Sequence, residues 1–285
     1  MLKILLNSSN GELTTIWKEL VKITKFNSFT VDVLHNYFTK ENIIGYVNPT
    51  IPTSSLTDVC IMAPGNSFGF LGGGFDKGIK DLFDDNFSPK INFEKLFRQE
   101  ILSQTNRSFS PPLNTILIDL RKYKFMLDHT HWYKYIIHVP TMISPEKPVF
   151  HEDAILDSGY RMVFNCCWAG LNHIPKDIDL LIMPGFASGY FGVPPLVCGV
   201  SMILALKIYD LMMSSLSSSE NNESLDTNIG NLTIDQINVL ILKILNYDPL
   251  TFYDEEILRA DLKLAPMENF DITNMEHVCD FLSAI

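Results

Sequence analysis

Two stretches of this chain share one uncommon plan, and together they limit what it can fold into. In the first, the apolar residues Val59-Cys60-Ile61-Met62 run into Ala63-Pro64-Gly65, then into a glycine-rich loop closing with Gly72-Gly73-Gly74, then into helix-compatible residues from Phe75 to Leu82. In the second, Leu180 to Met183 are followed by Pro184-Gly185-Phe186-Ala187-Ser188-Gly189-Tyr190-Phe191-Gly192-Val193-Pro194 and a long apolar helical pattern. Short apolar runs bounded by such loops suit buried strands. Glycines allow positive φ and close backbone approach, and the free N–H groups at a helix start point at negative charge. A single glycine triplet is equally well explained as a surface turn. Two loops at the same ends of two strands can face one ligand across a crevice, where open α/β sheets usually bind.

The rest of the chain supplies the other layers. Leu2 to Leu6 reads as a first strand, and Asn10-Gly11-Glu12 leads into a helix with Leu13, Ile16, Trp17 and Leu20 on one face. Phe29 to Leu34, Thr115 to Leu120 and Tyr133 to Val139 read as strands, the last ending at Pro140, and Leu250 to Tyr253 as a final strand. Helices are expected over Phe93 to Leu102, over Glu152 to Leu171, from Pro194-Pro195 onward, and over Ile237 to Leu245 behind a Thr233/Gln236 capping box. Alternating strands and helices imply a largely parallel or mixed sheet with helices on both faces. No domain boundary stands out, so residues 1–285 read as one domain. The serine-rich, acidic stretch 214–231 is expected to be a mobile insertion.

Composition excludes several function classes. A net charge of −11 argues against a nucleic-acid or anionic-membrane surface, though backbone amides still suffice for a small phosphorylated ligand. The five cysteines are odd in number and lie mostly in apolar runs without CxxC spacing, which points to reduced buried thiols in the cytoplasm or nucleus. No stretch reads as a signal peptide or a transmembrane span. His129-Thr130-His131 has a metal-like spacing but reads better as a loop, so no metal and no cofactor is expected.

The two loops resemble the paired signatures of the macro domain, the ADP-ribose-binding module. Asn66-Ser67-Phe68-Gly69-Phe70-Leu71-Gly72-Gly73-Gly74-Phe75-Asp76 keeps the family's asparagine-to-aspartate spacing across a glycine run. Ala187-Ser188-Gly189-Tyr190-Phe191-Gly192-Val193-Pro194 matches its second signature, and Ile136-Ile137-His138-Val139-Pro140 is similar to its I-H-x-V-G-P strand, one glycine short. The resemblance covers roughly residues 1–213.

What the resemblance implies is an α/β/α sandwich around a mixed sheet, with ADP-ribose lying over the strand ends. Asn66 would hold the distal ribose. Gly65, Ser67, Gly72, Gly73, Gly74 and Phe75 would approach that ribose and the diphosphate, and Ala187, Ser188, Gly189, Tyr190, Phe191 and Gly192 would wrap the diphosphate from the other side. Where the family often carries an aspartate for the adenine amine, this chain has Asn36; Phe252 or Tyr253 is expected to stack on adenine. Members of the family include phosphatases, hydrolases and readers, and the activity favoured for this acidic single-module chain is phosphatase action on ADP-ribose 1''-phosphate, a by-product step after tRNA splicing, with Asn66 positioning the ribose and Asp76 orienting or activating water. A non-catalytic ADP-ribose reader and a hydrolase of another ADP-ribose conjugate are the alternatives. Lys80 stands where protein de-ADP-ribosylases of the family often have histidine. Each residue also has a plainer reading: Asp76 as a helix N-cap, Asn66 as a bridge within its loop, and His138 as a core histidine.

Overall fold

A computed structural model describes residues 1–39, 41–43, 46, 58–84, 92–106, 108–123, 132–145, 148–219, 232–254 and 270–285. Six strands form one sheet: β1 (Leu2–Ser8), β2 (Phe29–His35), β3 (Val59–Asn66), β4 (Ile116–Asp119), β5 (Tyr133–Met142) and β6 (Leu180–Met183). Their spatial order is β2-β1-β6-β3-β5-β4. All neighbours are parallel except β4, which runs antiparallel to β5, so the sheet is mixed.

Side-chain alternation sends successive residues to opposite faces. Ile4, Leu6, Cys60, Met62, Leu181 and Met183 enter one core; Leu5, Ile61, Ala63 and Ile182 enter the other. Helices α1 (Gly11–Ile23), α4 (Met162–Leu171), α5 (Pro195–Ser219), α6 (Ile234–Ile244) and α7 (Met275–Ala284) cover the first face, with Trp17, Phe164 and Leu204 inside. Helices α2 (Gly74–Asp84) and α3 (Phe93–Thr105) cover the second through Ile79, Phe83, Phe93 and Phe97. The architecture is a three-layer α/β/α sandwich.

Several expectations need correction. Strand β5 runs through Pro140 to Met142, because the β4 ladder ends at Ile116 opposite His138 and leaves Pro140 flanked by β3 alone. The helix expected over Glu152 to Leu171 is divided into a 3₁₀ turn (Glu152–Ala154), a π-helical stretch (Ile155–Arg161) and α4. Leu250 to Tyr253 is not a strand: Asp248 caps a 3₁₀ turn, Pro249–Thr251. Helix α5 continues through Ser214 to Ser219, into the stretch expected to be a loop, while residues 220–231 lie outside the described residues. Pro195–Ser215 is also long and apolar enough to cross a membrane, contrary to the sequence reading, but 83% of that window is buried inside the protein. It is apolar all round because it is enclosed between the sheet and other helices.

Candidate functional site

At the carboxyl ends of β1, β6, β3 and β5 the two glycine loops face each other across a crevice of about 580 Å³. The first loop is shaped by Asn66. Its Oδ1 accepts the N–H groups of Phe68 (3.1 Å) and Phe70 (3.2 Å), and its Nδ2 donates to the Phe70 carbonyl (2.7 Å). This leaves one Nδ2 hydrogen for a ligand. Gly74 then begins α2 at φ +56, a left-handed geometry that favours glycine. Lys77 N–H bonds the Gly73 carbonyl (3.2 Å), so the amides of Gly74, Phe75 and Asp76 belong to the unpaired first turn and suit an anion. From the opposite side the Tyr190 ring reaches over Gly73, where a Cβ would lie 3.2 Å from Tyr190 Oη.

Asp76 and His138 meet at Gly65, on the α2 face of the sheet. A side chain at Gly65 would sit 2.9 Å from His138 Cε1 and 3.3 Å from Asp76 Oδ2, so only glycine leaves both groups their place. Asp76 is half-buried as a residue, yet its Oδ1 is sealed from solvent and has no hydrogen-bond partner. Burial raises its carboxyl to about 8. His138 is fully buried, edge-on to Phe97 at 5.1 Å, and neither ring nitrogen makes a well-formed hydrogen bond. Burial lowers its imidazole to about 4, although backbone groups of Asn66 and Ala63 alongside oppose part of that shift. Both side chains are therefore neutral near pH 7. This is the balance a buried acid–base pair adopts when neither partner's charge is compensated.

Of the residues expected at the site, Gly65, Asn66, Gly72, Gly73, Gly74, Phe75, Asp76, Ala187, Ser188, Gly189 and Tyr190 line the crevice. Several expected residues do not. Ser67 is fully buried beneath the loop, its N–H and hydroxyl both donating to the Met142 carbonyl. Phe191 belongs to the core, and its carbonyl accepts from Val149 and Phe150. Gly192, at φ +88 beside Pro148, turns the chain toward α5. Asn36 is drawn into its own turn, with Oδ1 accepting from Tyr37 N–H (2.9 Å) and Asn42 Nδ2 (2.8 Å). Phe252 and Tyr253 lie far along the chain's fold, beside Asn238 and Ile241 of α6, in a separate depression. Lys80 pairs with Asp84 at 2.5 Å, one turn along α2.

The crevice also takes in residues that carry no motif: Asn7 and Ser8 at the end of β1, Ser9 and Asn10 just after it, Tyr37 after β2, and Thr141 and Met142 on β5. Parallel pairing of β1 with β6 brings residues near position 7 beside the second loop. His129 and His131 lie outside the described residues, and among the described residues no three His, Cys, Asp or Glu side chains cluster as a metal site. Cys60, Cys166, Cys167 and Cys198 are buried free thiols, away from the crevice lining.

The family model of the macro-like domain matches residues 15–276, a span that takes in both glycine loops, the Asp76–His138 pair and five of the six strands in full. With this match over most of its length, the chain belongs to the macro-like domain family, whose members bind or process ADP-ribose-type molecules.

Proposed function

We propose that the protein is a phosphatase converting ADP-ribose 1''-phosphate to ADP-ribose and inorganic phosphate, the by-product step that follows tRNA splicing. The observation that carries this reading is the unpaired Asp76 carboxyl, raised to about 8, at the first turn of a helix that opens an anion cradle. A general base works best with a pKa near the working pH. Ionised Asp76 takes a proton from water as the water oxygen attacks phosphorus. The bond from phosphorus to the ribose C1'' oxygen breaks, its electron pair passing to that oxygen, which takes a proton from solvent water, and backbone amides at the start of α2 stabilise the charge on the transferring group. Neutral His138 keeps positive charge away from Asp76 and so preserves its basicity. The remaining Asn66 Nδ2 hydrogen is available to the distal ribose.

The test is phosphate release from ADP-ribose 1''-phosphate. The wild type is expected to release phosphate at a rate that climbs with pH through about 8, while Asp76→Asn loses about 10²-fold or more with ADP-ribose binding retained. A wild type that binds ADP-ribose but never releases phosphate overturns the catalytic reading. One observation favours that second reading, a non-catalytic ADP-ribose-binding module: Asn66 already spends most of its hydrogen bonds inside its own loop.

A further inference from the structure

Among the described residues, six buried side-chain polar atoms lack any hydrogen-bond partner, and four of them belong to Asn7, Asp76 and His138. Asp76 and His138 form the pair at Gly65. Asn7 stands apart from them. It ends the apolar part of β1, is 1% exposed and is among the residues lining the crevice, and its Oδ1 is sealed from solvent in the free protein and unpaired. Alternation along the strand puts it on the α2 face together with Leu5. A leucine would complete that apolar strand without cost. A buried acceptor left unpaired lowers stability, and native proteins keep few of them.

The crevice has a direction. The glycine loops that suit a diphosphate lie over β3 and β6, and the Asp76–His138 pair lies toward β5. Asn7 lies on β1, three strand spacings or about 14 Å from His138 on β5. With a diphosphate between the loops and the distal ribose beside Asp76, the moiety left for the β1 end is the nucleoside. That end offers an exposed aromatic residue, Tyr37, which is 71% accessible. The nucleoside carries hydrogen-bond donors, the ribose hydroxyls and the exocyclic amine, but no positive charge, and a neutral amide oxygen is the matching acceptor.

We propose that Asn7 is the residue that reads the nucleoside, its side chain turning on binding so that Oδ1 accepts a hydrogen bond from that part of the ligand. This rests on the ADP-ribose reading of the crevice but not on any catalytic step. Asn7 thus gives up stability in the free protein for recognition in the bound one.

The experiment compares ADP, which has the nucleoside and diphosphate but no distal ribose, with inorganic pyrophosphate, which has neither sugar. Calorimetric titration of Asn7→Leu is expected to show ADP affinity reduced about tenfold, pyrophosphate affinity unchanged, and a Tm equal to or above wild type. Asn7→Ser, which keeps an acceptor, is expected to hold ADP within about threefold of wild type and guards against a leucine variant that does not fold. Unchanged ADP affinity in a folded Asn7→Leu overturns the proposal, as does an equal loss for ADP and pyrophosphate. A lowered Tm with normal ADP binding marks a structural residue and overturns it too. Failure of the wild type to bind ADP or ADP-ribose at all is a different result, and it removes the ADP-ribose reading with this one.

Discussion

Asp76 makes the sharpest case at the scale of single residues, because its plainer role as a helix cap and its chemical role give different pH behaviour. Its folded pKa, about 8, lies above the ordinary 3.8, so the folded state holds an extra proton between those values and stability falls as pH rises across that window. His138 acts in the opposite sense. Its pKa of about 4, below the ordinary 6.5, makes stability rise with pH between those two values. Asp76→Asn removes the first effect and leaves the second. Its Tm advantage over wild type is therefore expected to widen between pH 5 and pH 8.5, by about 4 °C or more. A constant gap in a thermal-melt series would show a carboxyl that titrates normally. The sequence marked Asp76, through its spacing from Asn66, and it marked the glycines of both loops. It gave no sign of Asn7 or Tyr37, since neither sits in a motif, nor that Asn36 turns its oxygen inward to Tyr37 and Asn42.

Among the elements, the strands were the easiest to read, because Val59-Cys60-Ile61-Met62 and Leu180-Leu181-Ile182-Met183 are buried on both faces and apolar throughout. Pro140 hid the end of β5, since proline stops most strands, and only the early end of the β4 ladder makes it acceptable there. Helix α5 holds a device the apolar pattern concealed. Lys207 and Asp210 are fully buried, with Lys207 Nζ donating to the Lys25 carbonyl (2.7 Å) and Asp210 Oδ1 accepting the amides of Asn27 (2.9 Å) and Ser28 (2.7 Å). Burial lowers the Lys207 pKa. Together they fasten the turn between α1 and β2 to the core helix. Asp210→Ala leaves a buried cation and two amides uncompensated, and is expected to cost about 3–5 kcal/mol in urea denaturation. The double change Lys207→Met with Asp210→Leu is expected to recover much of that loss. If the single variant loses under about 1 kcal/mol, the pair is not the anchor described.

Over the whole molecule, β6 is the seam. Four buried residues join the β2–β1 pair on one side to β3, β5 and β4 on the other, and the crevice crosses that seam. No local pattern reveals this, because it depends on Leu180 meeting both Lys3 and Val59. Ile182→Ala is expected to remove about 2–5 kcal/mol while unfolding stays a single transition with an unchanged denaturant slope. Two separate transitions would mean that the half-sheets stand independently. The seam also sets a timetable for synthesis. As the chain leaves the ribosome, β1 and β2 emerge first, but the strand that covers the open side of β1 lies near residue 180. At roughly 5–20 residues per second, that partner arrives some ten to thirty seconds later. Throughout that interval the nascent chain carries a bare apolar strand edge, so its yield in a cell depends on how well chaperones shield it during the wait.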